Sequence, residues 1–251
     1  MTRAIRWLGA LLGRYLSRTV RTESASPPTA PEALLATLKP GDVLLVDGNT
    51  RFSVAIKYLT QSTWSHAALF VGDTFGDLAG GRANPRTFIE ADVVEGVRAV
   101  PLAEYAGLHT RICRPVGLTT LEIQAVIGAA KARLGNTYDL KNVFDLLRYL
   151  LPTPPVPVRW RRRLLAFGSG DPTRAICSTL VAQAFQAVRY PILPIVERLR
   201  DQPGCEECVS EVLRVRHHSL FVPRDFDVSP FFQIVKPTLA LGFDPHHVHW
   251  A

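Results

Sequence analysis

Apolar and polar positions follow two rhythms along this chain. Between residues 40 and 115 the apolar runs are short and end in Gly, Pro or Asp, which is the pattern of strands. Residues 42–47 (DVLLVD) follow a Pro-Gly turn and read as a strand. Residues 64–71 (WSHAALFV) read as a buried strand stopped by Gly72-Asp73, and residues 111–114 as another. Residues 87–93 and 97–100 fit a hairpin around Glu95-Gly96, residues 52–59 a short helix, and the glycine- and proline-bearing residues 74–86 a loop.

From residue 119 the rhythm becomes helical. Ile123, Val126, Ile127, Ala130 and Leu134 make one apolar stripe. Thr119 and Glu122 fit a capping box, and Gly135 fits the stop. Residues 142–151 predict a second helix, ended by the proline run at 152–157. Residues 176–188 predict a third, with Ile176, Leu180, Ala184 and Val188 on one face. Residues 219–222 and 231–235 read as late strands. There is no internal repeat. Strands, then helices, then strands argue an α+β fold rather than a doubly wound sheet.

Residues 1–22 stand apart from this pattern. Ile5, Leu8, Leu12 and Leu16 recur at helical spacing, and Arg3, Arg6, Arg14, Arg18 and Arg21 precede the first acid, Glu23. A basic amphipathic helix of this kind lies on anionic lipid headgroups. Two other readings stay open: a helix docked on the domain, and a targeting peptide. The targeting reading is the weaker, because its apolar core would be short and is broken by Gly9. Residues 23–33 (ESASPPTAPEA) read as a flexible linker, residues 34–238 as one catalytic-sized domain, and residues 239–251 as a tail.

The net charge of +7 sharpens this division. Residues 1–22 carry +5, which leaves +2 for all the rest, so the globular part is near neutral. A second basic cluster, Arg159 with Arg161–Arg163, is either a solvated run or another contact with acidic headgroups. No nucleic-acid motif accompanies the arginines and no aromatics are interleaved at stacking spacing, so a nucleic-acid partner is not expected. With 47% hydrophobic and 20% charged residues the chain can build a core, and no apolar stretch is long enough to span a bilayer. Four cysteines in 251 residues are no disulfide framework.

Three polar residues sit oddly in apolar elements. Cys177 opens the third helix, where free N–H groups and the helix dipole favour a thiolate. A thiol nucleophile needs a base, and His66 lies in an apolar strand with Trp64 and Ala68 as its alternation partners. Glu90, among apolar residues of the neighbouring strand candidate, is placed to orient the imidazole. Cys205-Glu206-Glu207-Cys208, followed by His217 and His218, is a weak zinc signal; a disulfide or two free thiols fit it equally. No metal is assigned to this chain, and no cofactor is expected.

Several motifs, in order from about residue 40 to 236, resemble the circularly permuted papain-like branch of the NlpC/P60 cysteine hydrolases, specifically its YiiX-like group. They are Gly41-Asp42-Val43, residues 65–72 (SHAALFVG), Ile89-Glu90-Ala91 with Gly96-Val97, Leu134-Gly135 with Tyr138-Asp139, residues 177–181 (CSTLV) and residues 223–236. The resemblance implies an antiparallel sheet packed against a few helices. It implies Cys177 as nucleophile, His66 as base, Glu90 as the orienting acid, Tyr138 near the oxyanion, and backbone N–H groups around Cys177 and Ser178 completing that pocket. The family usually carries an acid two positions after the cysteine, where this chain has Thr179.

The implied activity is cleavage of an amide (peptide, peptidoglycan-derived or acyl amide) through a thioester. Two alternatives remain. One is a lipid-active acyltransferase or thioesterase; the related enzymes have an Asn-Cys-Glu-His sequence, where this chain reads Ile176-Cys177-Ser178-Thr179. The other is a non-catalytic membrane-associated binding module. The CxxC and the basic N-terminus fit either side of a bacterial inner membrane.

Overall fold

Six strands form one antiparallel sheet in the order β4-β3-β2-β1-β5-β8, and every neighbouring pair in it is antiparallel. The strands are β1 (Val43–Asp47), β2 (His66–Phe70), β3 (Arg86–Asp92), β4 (Gly96–Pro101), β5 (His109–Pro115) and β8 (Phe232–Val235). A separate two-stranded ribbon pairs β6 (Ile195–Leu199) with β7 (Ser210–Arg214). This is a computed structural model, and it describes residues 18–20, 28–92, 95–136, 176–199, 210–244 and 246. The architecture is α+β, an antiparallel sheet with a few helices, as the order of elements predicts.

Side chains alternate across a strand, so each strand serves two cores. Val43, Leu45, Ala67, Leu69, Ile89 and Ala91 face one side. There they meet α3 (Thr120–Lys131) through Val126, Ile127 and Ala130, and α4 (Ile176–Gln186) through Leu180, Val181, Ala184 and Phe185. Leu44, Val46, Ala68, Phe70 and Phe88 face the other side and pack on Leu34 of α1 (Pro31–Thr37) and on Tyr105 of a 3-10 turn, Leu102–Tyr105. The capping box at Thr119 and Glu122 forms as predicted.

Gly48, at the end of β1, is required by close approach. A Cβ there would lie 2.8 Å from the Ser65 hydroxyl and would also collide with Ser53. The Gly48 N–H instead donates to Ser65 Oγ at 2.9 Å. That contact joins the end of β1 to the residue preceding β2, while α2 (Arg51–Thr60) begins three residues on. It brings the entrance of β2 against this corner of the sheet.

Several local expectations are corrected. Residues 219–222 are not a strand; a 3-10 turn, His218–Leu220, capped by the His217 side chain, leads into α5 (Pro223–Asp227). The helix α1 starts inside the stretch read as a linker, and α6 (Pro237–Ala240) runs into the stretch read as a tail. Each of these three helices has proline in its first turn, where the ring's fixed φ suits a helix and its missing N–H costs nothing. At the N-terminal end, Thr19 forms an antiparallel bridge with Thr50, so residues 18–20 are extended rather than a continuation of the expected helix. Residues 1–17, the expected helix 142–151, the arginines at 159–163 and the CxxC cysteines lie outside the described residues.

Candidate active site

The residues singled out in the sequence meet at one end of the sheet. His66 is the first residue of β2, directly opposite Val46 of β1. On one side its Nε2 is 2.6 Å from Glu90 Oε2 of β3. On the other it lies beside the side chain of Cys177, the second residue of α4 in the helix layer, near enough for the two groups to interact electrostatically. With Nε2 engaged by the carboxylate, Nδ1 is the ring nitrogen left for the thiol. Cys177 is 3% exposed and Glu90 is also 3% exposed, whereas the His66 side chain retains 24%, so the imidazole is the group that solvent reaches.

One expectation about His66 fails in detail. Trp64 does not share its face by strand alternation, because β2 starts only at His66 and Trp64 lies in the connection before it. Trp64 packs into the helix-side core, and its indole N–H donates to Asp227 of α5 at 3.0 Å. Arg111, itself paired to Asp227 at 2.6 Å, stacks over the indole.

Two residues that the sequence reading missed complete the surroundings of Glu90. The Tyr105 hydroxyl donates to Glu90 Oε2 at 2.6 Å, the oxygen that also takes His66. Arg98 covers Oε1 through Nε at 2.9 Å and a second guanidinium nitrogen at 2.8 Å. Arg98 stands directly opposite Glu90 in the β3–β4 register. Counting back from the predicted turn at Glu95-Gly96 would have found it, since cross-strand neighbours are the interacting pairs of a hairpin. Tyr105 had no such signal, because a 3-10 turn after β4 returns it to the sheet from outside the hairpin.

The electrostatics follow from these contacts. Burial alone would raise the Glu90 carboxyl. The charge of His66 and its hydrogen bond, with those of Tyr105 and Arg98, more than reverse that and hold it at about 2. Burial alone would lower the His66 imidazole, but the charges of Cys177 and Glu90 and its bond to Glu90 carry it well above its ordinary value. Burial and the Glu90 charge push Tyr105 far up, so it stays a neutral donor. The site therefore favours an imidazolium held between the Glu90 carboxylate and the Cys177 sulfur. The other described cysteine, Cys113, is different: it is fully buried in the sheet, and burial with the nearby Asp227 charge pushes its thiol up.

Ser178 follows Cys177 in α4, and its buried hydroxyl donates to the Phe221 carbonyl at 2.8 Å. Thr179, where an acid would be usual, is buried, and its hydroxyl finds no partner. Tyr138 lies outside the described residues. His218 is bonded by Gln183, and His217 caps its own turn. Among the described residues, no group of three or more His, Cys, Asp or Glu side chains is arranged to hold a metal.

Replacing Tyr105 with phenylalanine tests how this network is held. The variant keeps the ring packed edge-on against Phe88 but loses the bond to a charged oxygen. The expected cost is about 2 kcal/mol of stability, read by urea unfolding. An unchanged midpoint would mean that the phenol adds nothing to the carboxylate.

Over part of its length the sequence is similar to a class of cysteine hydrolases, amidases with a permuted papain-like domain. Residues 37–148 match the model of a family described as permuted papain-like amidase enzyme, YaeF/YiiX, C92 family. That span holds His66 and Glu90 and ends before Cys177. No curated protein matches the sequence. Among solved structures, the chain is similar to one titled as metalloprotein yiiX from Escherichia coli O157:H7. The identity is 17%, the match covers 79% of this chain and 96% of that one, and the TM-score is 0.43.

Proposed function

We propose that the protein cleaves an amide through a thioester on Cys177, with His66 as the acid–base group and Glu90 as the residue that orients it. The observation that carries this reading is one imidazole bonded to Glu90 and lying beside Cys177, close enough to interact with it. A thiolate beside an imidazolium is a nucleophile with its proton donor already in place. The Cys177 sulfur attacks the amide carbonyl, and the oxyanion is taken by backbone N–H groups at residues 177 and 178 at the start of α4. The Ser178 hydroxyl is committed to Phe221, so its part in this is the main chain alone. Tyr138 would add a phenolic donor to the same oxygen. His66 protonates the departing amine, and the thioester remains. Water then gives a proton to His66 as it attacks the thioester, releasing the acid and restoring the thiolate beside the imidazolium.

The acyl group can be identified by trapping it. Intact-mass and peptide-level mass spectrometry, after exposure to a mixture of peptide, muropeptide and fatty-acyl amides and rapid acid quench, is expected to show one acyl adduct on Cys177. Its mass names the substrate class among these three. Adducts elsewhere, or none with any amide while Cys177 is intact, would overturn the proposal.

A further inference from the structure

The imidazole bonded to Glu90 and lying beside Cys177 stands at the first position of a strand, and strand ends open more readily than strand centres. β2 pairs with β3 at Leu69 and Phe70, farther along. At His66 the ladder partner is Val46 of β1. The two residues before His66 lie outside the strand, yet both are tied down by their side chains. The Trp64 indole donates to Asp227. The Ser65 hydroxyl, on a residue only 2% exposed, accepts the Gly48 N–H at 2.9 Å and donates to the Val46 carbonyl at 3.3 Å. The Ser65 N–H reaches that same carbonyl at 3.1 Å.

The point that Ser65 grips is itself fixed. Lys57 Nζ donates to the Gly48 carbonyl at 3.0 Å and to Asp47 at 2.7 Å. Gly48 is therefore held at its N–H by Ser65 and at its carbonyl by Lys57. Both hydrogen bonds of the Ser65 hydroxyl go to main-chain groups of residues 46 and 48, so it is not free to serve a substrate. What it can do is fix the backbone next to His66. An imidazole that must meet a carboxylate oxygen at 2.6 Å on one side and a sulfur on the other tolerates little displacement.

We propose that Ser65 is a positioning residue: its buried hydroxyl locks the chain immediately before His66 to the end of β1, and so holds the imidazole in place between Glu90 and Cys177. The assignment rests on the reading of His66 as the acid–base group.

The test compares full-length Ser65→Ala with full-length Ser229→Ala. Ser229 is 5% exposed and its hydroxyl donates to the Ile192 carbonyl. It lies just before β8, whose Phe232 pairs with Pro115 at the far end of β5. Each variant loses a buried, bonded hydroxyl, so each should lower the urea midpoint. Only Ser65→Ala should disturb the imidazole. One readout is the downfield proton NMR signal of the bond between His66 Nε2 and Glu90 Oε2, identified by its absence in Glu90→Gln. That signal should be lost or broadened in Ser65→Ala and persist in Ser229→Ala. The other is alkylation of Cys177 by iodoacetamide across pH, read at peptide level, whose upper inflexion should move down in Ser65→Ala alone. Combined with Glu90→Gln, the shift should be smaller than the sum of the two, because both changes act through one imidazole. If Ser65→Ala does not fold, Ser65→Cys, similar in size but with a weak sulfur acceptor, carries the same two readouts. A wild-type signal and inflexion at a folded Ser65 variant, or equal changes in Ser229→Ala, would overturn the proposal. Both readouts concern the resting protein. Failure of the thioester reading would appear instead in the trapping experiment, where wild-type Cys177 would carry no acyl group.

Discussion

Cys177→Ala is expected to abolish amide turnover while leaving the fold intact. The side chain lost is small and buried, at 3% exposed, at the first turn of a helix whose core contacts come from Leu180, Val181, Ala184 and Phe185. Removing one sulfur there costs about 1 kcal/mol of stability, whereas removing a nucleophile costs about 10^4-fold or more in kcat. The two effects separate cleanly in a thermal melt and a progress curve on the same sample. Circular dichroism should match the wild type, and quenched reactions should show no acyl adduct. A variant that retained even a tenth of wild-type turnover would remove Cys177 from the chemistry.

Glu90→Gln is expected to have the second-largest effect, for a reason that lies in the hydrogen bonds. Glu90 is acceptor-only and faces three donors, His66, Tyr105 and Arg98. An amide replaces one acceptor oxygen with a donor, so one of the three must meet an N–H group. It also removes the charge that holds the imidazole protonated. Turnover should fall roughly 10^2- to 10^4-fold. The pH above which Cys177 loses its imidazolium partner should also move down, which is seen as a lowered upper inflexion in the pH dependence of its alkylation.

Stability follows the same pair. The Glu90 carboxyl sits at about 2 instead of 4.5, so its contribution is complete above pH 4.5 and disappears as pH falls through 2. His66 is raised, so its contribution is complete below pH 6.5 and is lost as pH rises through its folded value. These are two ends of one interaction. The wild-type advantage in Tm over Glu90→Gln should therefore shrink in acid, across the window from 4.5 to 2. An advantage that stayed constant from pH 7 down to 2 would mean that Glu90 carries no stabilising charge.

Period-2 alternation and a capping box were enough to place β1, β2, the β3–β4 hairpin and α3, because each depends on neighbours in sequence. The same reasoning found His66, Glu90 and Cys177 as polar residues in apolar elements, and the fold then brought the three side chains together. Proline was the least transparent residue. In α1, α5 and α6 it opens a helix, yet at Pro31 it stood in a stretch that read as a linker. Tyr105 was invisible for another reason. Its value to Glu90 depends on a turn that folds over the far face of the sheet, and no local spacing records that return. Arg98 lay between these cases: its partner was fixed by the hairpin register, and only the counting was missing.

The order of these residues along the chain has a consequence for the cell that makes the protein. His66, Glu90, Arg98 and Tyr105 all lie on two adjacent hairpins and the turn that follows them, and they emerge from the ribosome well before Cys177. On the proposed mechanism the acid–base half of the site is thus synthesised before the nucleophile. Cys177 joins them only when the helix beginning at Ile176 packs on the sheet. A chain ending before that helix would carry His66 and Glu90 but not Cys177, and on the proposed mechanism would have no nucleophile.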